Sequence, residues 1–254
     1  MKAYIAFVQK ELMENVRTYK LLIMLSVFLV FGMLGPLTAK LMPKLLETLI
    51  TDGIQITIPE PTALDSWAQF FKNVSQMGIL VVAILFSGMM ANEFSHGTLI
   101  NILTKGLARS TVILSKFTVS ALIWTISYGL CFLVSFVYTA YFWGDEGIAH
   151  LFLAVTGLWF FGVLLLAVML LGGVIFKNSS GCLLFAGGFI VALFMFDIVP
   201  QFRKYNPLAL ASQNMSLISG KALPEDLTTA FAVSLALVLF SIVSAIGIFN
   251  KKQL

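Results

Sequence analysis

The sequence has few charged residues for its length. Only 11% of its 254 residues are Asp, Glu, Lys or Arg, and 59% are hydrophobic, whereas an average soluble domain is about 25% charged. A chain this poor in charge cannot cover a soluble domain with polar surface, which argues strongly against a soluble fold. The hydrophobic residues fall into long blocks, and this indicates helices that cross a membrane.

The sequence also lacks the patterns of several chemistries. Its two cysteines, Cys131 and Cys182, stand singly within apolar blocks, so neither a disulfide framework nor a zinc site is expected. No GxxxxGK[ST], HExxH or GxSxG motif occurs. We therefore expect no catalytic residues, no metal and no cofactor in this chain. The basic residues form no stripe, so nucleic acid is not an expected partner.

Six uncharged blocks are each long enough to cross the roughly 30 Å hydrocarbon core of a bilayer. With no internal repeat and no linker, the sequence predicts a single all-α integral membrane domain over residues 1–254. An even number of spans places both termini on the same side. The blocks run over residues 21–39, 73–92, 117–143, 151–176, 179–196 and 227–250.

The basic residues between the blocks predict the orientation of the chain. One side carries ten Lys and Arg residues and the other carries six, and the positive-inside rule assigns the richer side to the cytoplasm. Both termini are therefore predicted to be cytoplasmic. The ten are Lys2, Lys10, Arg17, Lys20, Lys105, Arg109, Lys116, Lys177, Lys251 and Lys252.

Residues 1–20 have an amphipathic helical pattern. One face is apolar at every fourth residue, and charged residues share another face. We predict a helix along the cytoplasmic membrane surface with its basic groups near lipid phosphates, and the alternative is an ordinary juxtamembrane stub. The apolar positions are Tyr4, Val8, Leu12 and Val16, and the charged positions are Lys10, Glu14 and Arg17.

Two longer segments are predicted to be extracellular. Residues 40–72 suggest a short surface helix followed by a proline-rich turn. Residues 200–226 suggest a short helix or a re-entrant hairpin, and the alternative is an unstructured loop. Asp197, at the outer end of the fifth span, is a candidate substrate gate. The alternative is an interfacial charge near Arg203 or Lys204.

The connection between the second and third spans carries the strongest functional signal. Residues 92–106 are predicted to form a short amphipathic helix, with Asn92 as its N-cap, Glu93 in its first turn and Lys105 with Gly106 at its end. Lipid does not require an apolar patch there, so the patch indicates a docking surface for another protein, and a generic loop is the alternative. The patch consists of Leu99, Ile102 and Leu103.

This segment resembles a motif in the membrane subunits of type 2 ATP-binding cassette (ABC) exporters. In that family an acidic residue and a Gly-Thr-Leu sequence join the second and third spans, and a basic helix start follows. Where many relatives have proline near Gly106, this chain has Gly-Leu-Ala-Arg. In layout the resemblance covers the whole chain. The matching residues are Glu93, Gly97, Thr98 and Leu99, followed by Arg109, Ser110 and Lys116.

The resemblance implies a membrane permease in the plasma membrane of a bacterium. Two cytoplasmic ABC ATPase subunits, which would hold ATP and Mg, are expected to dock on residues 92–106 as a coupling helix and to contact the N-terminal helix. A second permease subunit, most simply a second copy of this chain, would complete the exporter. The expected ATPase-coupling residues are Glu93, Phe94, Gly97, Thr98, Leu99, Ile102 and Leu103.

The expected cargo follows from the spans, whose interiors hold no Asp, Glu, Lys or Arg. An apolar pathway favours a hydrophobic or amphipathic substrate. A peptide of toxin or antimicrobial type is the first expectation, and lipophilic drugs or lipids come next. The rival classes are a gradient-driven secondary transporter, which usually places ionisable groups within its spans, and a membrane assembly or immunity protein without an ATPase.

Overall fold

A computed structural model describes residues 2–49, 60–95, 97, 104, 106–144 and 148–252. Within these residues the structure is all-helical and contains no strand. The helices are α1 (Lys2–Arg17), α2 (Lys20–Leu49), α3 (Ala63–Ser95), α4 (Arg109–Trp143), α5 (Leu151–Phe176), α6 (Ser179–Ile198), α7 (Pro200–Arg203), α8 (Ala209–Ser212), α9 (Asn214–Ile218) and α10 (Glu225–Lys251).

Six of these helices, α2 to α6 and α10, are long and apolar enough to cross a membrane. The predicted number of spans is therefore confirmed, and the chain is a multi-pass membrane protein. Several helices extend beyond the uncharged blocks: α2 continues to Leu49, α3 begins at Ala63 and α4 begins at Arg109. Charges at the end of a span do not stop a helix, because long side chains can reach polar surroundings.

Helix α1 and the end of α10 lie at the same end of the helix bundle, where Phe7 and Phe249 share one buried cluster, and we call this the proximal end. There the Lys252 ammonium donates hydrogen bonds to the carbonyl oxygens of Val174 and Ile175 at 2.5 and 2.8 Å. The Arg109 guanidinium donates to the carbonyl of Lys252 at 2.6 Å. The proximal end thus joins the start of α4, the end of α5 and the end of α10, and we call the opposite end distal.

Helix α5 is the centre of the bundle. In its most apolar stretch 83% of the residues are buried, compared with 17% of the residues in the corresponding stretch of α6. The Trp124 ring of α4 crosses α5 at Gly162, where an added Cβ would lie only 2.4 Å from the ring. The Trp124 indole N–H also donates to the carbonyl of Trp159 at 2.9 Å. A glycine at this position therefore allows α4 and α5 to approach closely, as small residues do in membrane helices.

Helix α3 is irregular along its length. It contains a π-helical turn over Val74–Gly78, and its helical hydrogen bonding is interrupted between Phe86 and Gly88. An added Cβ at Gly78 would lie 3.1 Å from the Phe28 ring of α2. Ser87 keeps a right-handed helical conformation and its N–H donates to the Ala83 carbonyl, so Gly88–Ser95 continues the helix to the proximal end. Such π turns often mark functional sites.

The predicted segment 200–226 is mostly helical and packs into the bundle. Its short helices α8 and α9 contact α5, and Leu210 and Leu217 are fully buried. The Asn206 side chain is buried as well, where it donates to the carbonyl of Leu193 at 2.8 Å and accepts from the Leu208 N–H at 3.0 Å. Helical structure is thus present in place of an unstructured loop, whereas an extracellular location stays a prediction.

Candidate functional site

The helices α1, α3 and α4 each bring charged side chains to one buried point at the proximal end. We call Lys10, Glu11, Glu14, Glu93 and Lys116 the ionic cluster. Its central side chains are almost completely buried, with exposures of 4% for Glu11, 4% for Glu93 and 2% for Lys116. The Lys116 ammonium lies 2.9 Å from both carboxylate oxygens of Glu11 and 2.9 Å from Glu93 Oε1.

Lys10 closes the ionic cluster from its exposed side. Its ammonium lies 2.9 Å from Glu11, 2.8 Å from Glu93 and 2.7 Å from Glu14. Burial disfavours the charged form of Lys10. The hydrogen bonds to Glu14, Glu93 and Glu11 outweigh this effect and raise the pKa of Lys10 above its ordinary value. Lys10 is therefore a permanent cation within the cluster.

The three carboxylates of the ionic cluster lie close enough together to consider a metal. One oxygen from each of Glu11, Glu14 and Glu93 lies within 4.8 Å of the others. The ammonium groups of Lys10 and Lys116 already contact these oxygens at 2.7–2.9 Å. The arrangement therefore fits internal ion pairing and does not call for a bound cation.

Phe7 explains how α1 reaches the ionic cluster. Its side chain is 6% exposed and packs in the proximal core with Met90 of α3, Ile113 of α4 and Phe249 of α10. Phe7 and Glu11 are four residues apart, so they lie on the same face of α1. Burial of the phenylalanine thus directs the Glu11 carboxylate toward Lys116.

The surroundings of Lys10 on α1 differ from the predicted ones, whereas the position of α1 along the membrane stays a prediction. The Lys10 ammonium pairs with Glu14 and Glu93 within the cluster, whereas the basic groups of α1 are predicted to lie near lipid phosphates. Arg17 is exposed. The residues Ile5, Met13 and Val16 are about half exposed. Glu93, a buried partner outside α1, attracts the Lys10 charge that the pattern of α1 assigns to the surface.

The prediction that a coupling helix begins at Asn92 is wrong. Asn92, Glu93 and Phe94 belong to the last turns of α3, which ends at Ser95, so Asn92 is not an N-cap. Gly97 has a φ of +63°, a left-handed conformation that ends helices and favours glycine. One continuous helix over residues 92–106 is therefore excluded. The expected coupling residues Thr98, Leu99, Ile102 and Leu103 lie outside the described residues.

A second group of side chains surrounds the end of α3. We call Phe94, Arg109, Lys177, Phe249 and Lys252 the aromatic–cation cluster. The ammonium groups of Lys177 and Lys252 lie 5.5 and 5.8 Å from the centre of the Phe94 ring. The Phe94 and Phe249 rings meet edge to face at 6.1 Å, and the Arg109 guanidinium lies 5.4 Å from the Phe249 ring. Such contacts are typical cation–π pairs.

The two clusters fasten both ends of the α3–α4 connection. On the α3 side, Glu93 is held by Lys10 and Lys116. On the α4 side, Arg109 donates hydrogen bonds to the carbonyl groups of Phe249 and Lys252 at the end of α10. A displacement of the connection would therefore be transmitted to α1, α3, α4 and α10.

The candidate gate residue Asp197 lies at the distal end, away from both clusters. Its carboxylate is 3.9 Å from the Arg203 guanidinium, and the side-chain exposures are 35% and 59%. The Arg203 Nε also donates to the Asp197 carbonyl at 3.0 Å. The predicted pairing with Arg203 is thus observed, and a role as a gate stays a prediction.

Glu11 and the ion-pairing role of Lys116 were not predicted from the sequence. A usable signal for Glu11 was present, because this carboxylate lies on the helical face that also carries Phe7 and Val8. A charge on an apolar stripe requires a partner, since an unpaired buried charge is very unfavourable. The sequence did not indicate which residue that partner was.

Comparison with known proteins places the chain among membrane proteins. It is 23% identical to the uncharacterized transmembrane protein YxlG of Bacillus subtilis (strain 168) over 217 residues, which are 84% of each chain. Residues 54–253 match the family described as Protein of unknown function (DUF2705). This match includes Glu93, Lys116 and the whole aromatic–cation cluster, and it covers most of the chain. On this evidence the chain belongs to the DUF2705 family.

Proposed function

We propose that this chain is the membrane permease subunit of an exporter driven by separate ABC ATPase subunits. The proposal rests on the six spans, on the resemblance of residues 93–99 to the coupling motif of type 2 exporters, and on the absence of an ATP-binding motif from the sequence. In this arrangement the proximal end faces the cytoplasm of a bacterium. Two permease subunits, most simply two copies of this chain, stand above two ATPases.

The observation that carries the proposal is the placement of Glu93. This residue lies in the last turn of α3, just before the α3–α4 connection, and is bound at 2.8 Å by Lys10 of α1 and at 2.9 Å by Lys116 of α4. Opposite charges attract strongly where water is excluded, so three helices are joined at the point where an ATPase would push. Closure of the ATPases would then tilt α1, α3 and α4 together as a rigid group.

The cargo of the proposed exporter is hydrophobic or amphipathic. Beyond the ionic cluster, the spans present large apolar side chains on their outer faces, including Leu184 on α6 and Val243 on α10. A pathway between two subunits would therefore be apolar. A peptide of toxin or antimicrobial type fits this lining, as do lipophilic drugs and lipids.

The proposal is tested by purifying the tagged chain in a mild detergent from its native membrane. Mass spectrometry should find an ATPase with a Walker motif in the sample. The double variant Leu99→Asp/Leu103→Asp should lose most of this ATPase, because two charges would disrupt the apolar patch. The matched control is Leu223→Asp, which changes a 62% exposed residue near the distal end and should leave the ATPase bound. If no ATPase co-purifies with the unmodified chain, the exporter assignment fails.

One observation favours a second candidate, a gradient-driven transporter. Buried ionisable groups in membrane helices often relay protons, and Glu11, Glu93 and Lys116 are buried. The Glu11 and Glu93 carboxylates each contact an ammonium group, however. The cluster also lies near the end of α3 and the start of α4 rather than at mid-membrane. Proteoliposomes that contain only this chain and a pH-sensitive dye separate the two functions. Proton flux that disappears in Glu93→Gln would favour the gradient-driven transporter.

A further inference from the structure

The aromatic–cation cluster carries positive charge that no described carboxylate neutralises. Among the residues that the structure describes, Arg109, Lys177 and Lys252 form no ion pair, whereas all five charged residues of the ionic cluster do. The converging ends of α3, α4, α5 and α10 contribute about half a charge each, negative at three C-termini and positive at one N-terminus. An excess of about two positive charges remains.

The two lysines offer hydrogen-bond donors as well as charge. An ammonium has three N–H groups, and Lys252 uses two of them on the carbonyl oxygens of Val174 and Ile175. Lys177 makes no hydrogen bond through its ammonium to any described residue. Burial and the nearby charge of Lys177 both lower the pKa of Lys252, so an anion at this point would relieve a repulsion within the protein.

The surroundings of the two lysines are apolar on the membrane side. Lys177 directly follows α5, with a φ of +57°, and the last two residues of that helix, Ile175 and Phe176, are 36% and 48% exposed. Cations at the end of a spanning helix, beside exposed apolar side chains, match a molecule with a charged head and hydrocarbon chains. A zwitterionic head would bring its own cation into this positive group, so a net negative head fits better.

We propose that the aromatic–cation cluster binds an anionic phospholipid from the proximal leaflet of the membrane. Its phosphate lies between the ammonium groups of Lys177 and Lys252, and an acyl chain runs along Ile175 and Phe176. The lipid also contacts Phe94 and thereby reaches the end of α3. This site is independent of the exporter function, because it requires neither an ATPase nor a cargo.

Native mass spectrometry tests the proposal with purified protein in mixed micelles of phosphatidylglycerol and phosphatidylcholine of equal chain length. We expect the unmodified protein to retain phosphatidylglycerol about tenfold more than phosphatidylcholine. Lys177→Glu should abolish this preference, and Lys177→Arg should keep it. Lys221→Glu, which changes an exposed lysine of the segment between α9 and α10, is the matched control and should also keep it.

Three results would overturn the lipid site. The first is an equal preference for phosphatidylglycerol in the unmodified protein and in Lys177→Glu. The second is loss of the retained lipid to millimolar glycerol 3-phosphate, which would assign the cluster to a soluble phosphate compound. The third is a Lys177→Glu variant that loses a co-purifying ATPase but retains its lipid, because the cluster would then be a protein docking surface. Lys252 is left unchanged since it also caps α5.

Discussion

The ion pairs at the proximal and distal ends of the bundle differ in how far their side chains are buried. At the proximal end the Glu11 and Lys116 side chains are 4% and 2% exposed and contact each other at 2.9 Å. At the distal end Asp197 and Arg203 remain 35% and 59% exposed, at a distance of 3.9 Å. The distal end joins its helices through apolar packing and neutral hydrogen bonds, such as the one between Asn206 and the Leu193 carbonyl.

This difference indicates separate roles for the two ends. Burial of an ion pair costs desolvation energy that its attraction often does not recover, so such a pair is weak evidence for stability alone. Neutral packing would join α1, α3 and α4 at lower cost. A buried ionic cluster is therefore more informative as a device that sets the relative positions of three helices beside the α3–α4 connection.

The largest expected effect comes from removal of the central cation. Lys116→Met should lower the free energy of unfolding by about 3–5 kcal/mol, because Glu11 and Glu93 would remain buried without their buried cation and with only the partly exposed Lys10 as a partner. The distal counterpart, Arg203→Met, should cost less than about 1 kcal/mol, since that pair is exposed. Unfolding with increasing SDS in mixed micelles measures both values. Similar losses in the two variants would remove the contrast between the ends.

A triple variant tests whether the stability lost in Lys116→Met comes from unpaired buried charges or from the changed side-chain volume. Glu11→Gln/Glu93→Gln/Lys116→Met removes the buried charges together and should recover much of the stability lost in Lys116→Met. If the exporter proposal is right, it should still weaken coupling between the ATPase and transport. Full activity of the stable triple variant would argue against a mechanical role for the cluster.

The next effect concerns close packing at the centre of the bundle. Gly162→Ala should cost about 1–3 kcal/mol, because its Cβ would lie 2.4 Å from the Trp124 ring. Gly188→Ala on α6 is the matched control, since nothing lies within 4 Å of the added Cβ. Adding Trp124→Leu to Gly162→Ala should restore part of the loss. Equal SDS unfolding midpoints for the two alanine variants would show that this contact is not tight.

The buried amide at the distal end gives a comparable test of neutral hydrogen bonding. Asn206→Ala should cost about 1–3 kcal/mol, because the Leu208 N–H would lose its side-chain partner. Gln201→Ala changes an exposed residue of α7 and should cost almost nothing. Limited proteolysis of the segment between α6 and α10 measures the effect locally. Unchanged cleavage of Asn206→Ala would show that Asn206 does not hold this segment.

The smallest effect is expected at the rim of the ionic cluster. Glu14→Gln removes a carboxylate that is 41% exposed and pairs with Lys10 at 2.7 Å, so it should cost less than about 1 kcal/mol. The loss should shrink further at high salt, because ions screen exposed charges. A cost as large as that of Lys116→Met would mean that the rim is as important as the buried centre.

Much of the fold could be predicted from the sequence, but less of the candidate site. The block 151–176 has the same bounds as α5, because its apolar run ends sharply at both sides. The start of the coupling segment was predicted incorrectly, since capping residues such as Asn92 also occur inside helices. Glu93 was singled out from the sequence as an ATPase-coupling residue, a role that stays a prediction, whereas its pairing with Lys10 and Lys116 was not predicted.

The sequence by itself determined that this is a membrane protein with six spans, because the length and polarity of a block act locally and need no knowledge of its neighbours. Only the tertiary structure decided which charges are buried. Lys10 meets Glu93 across 83 positions of sequence, and Lys116 meets Glu11 across 105. The free energy of a buried charge depends on such distant partners, and periodicity within one helix carries no information about them.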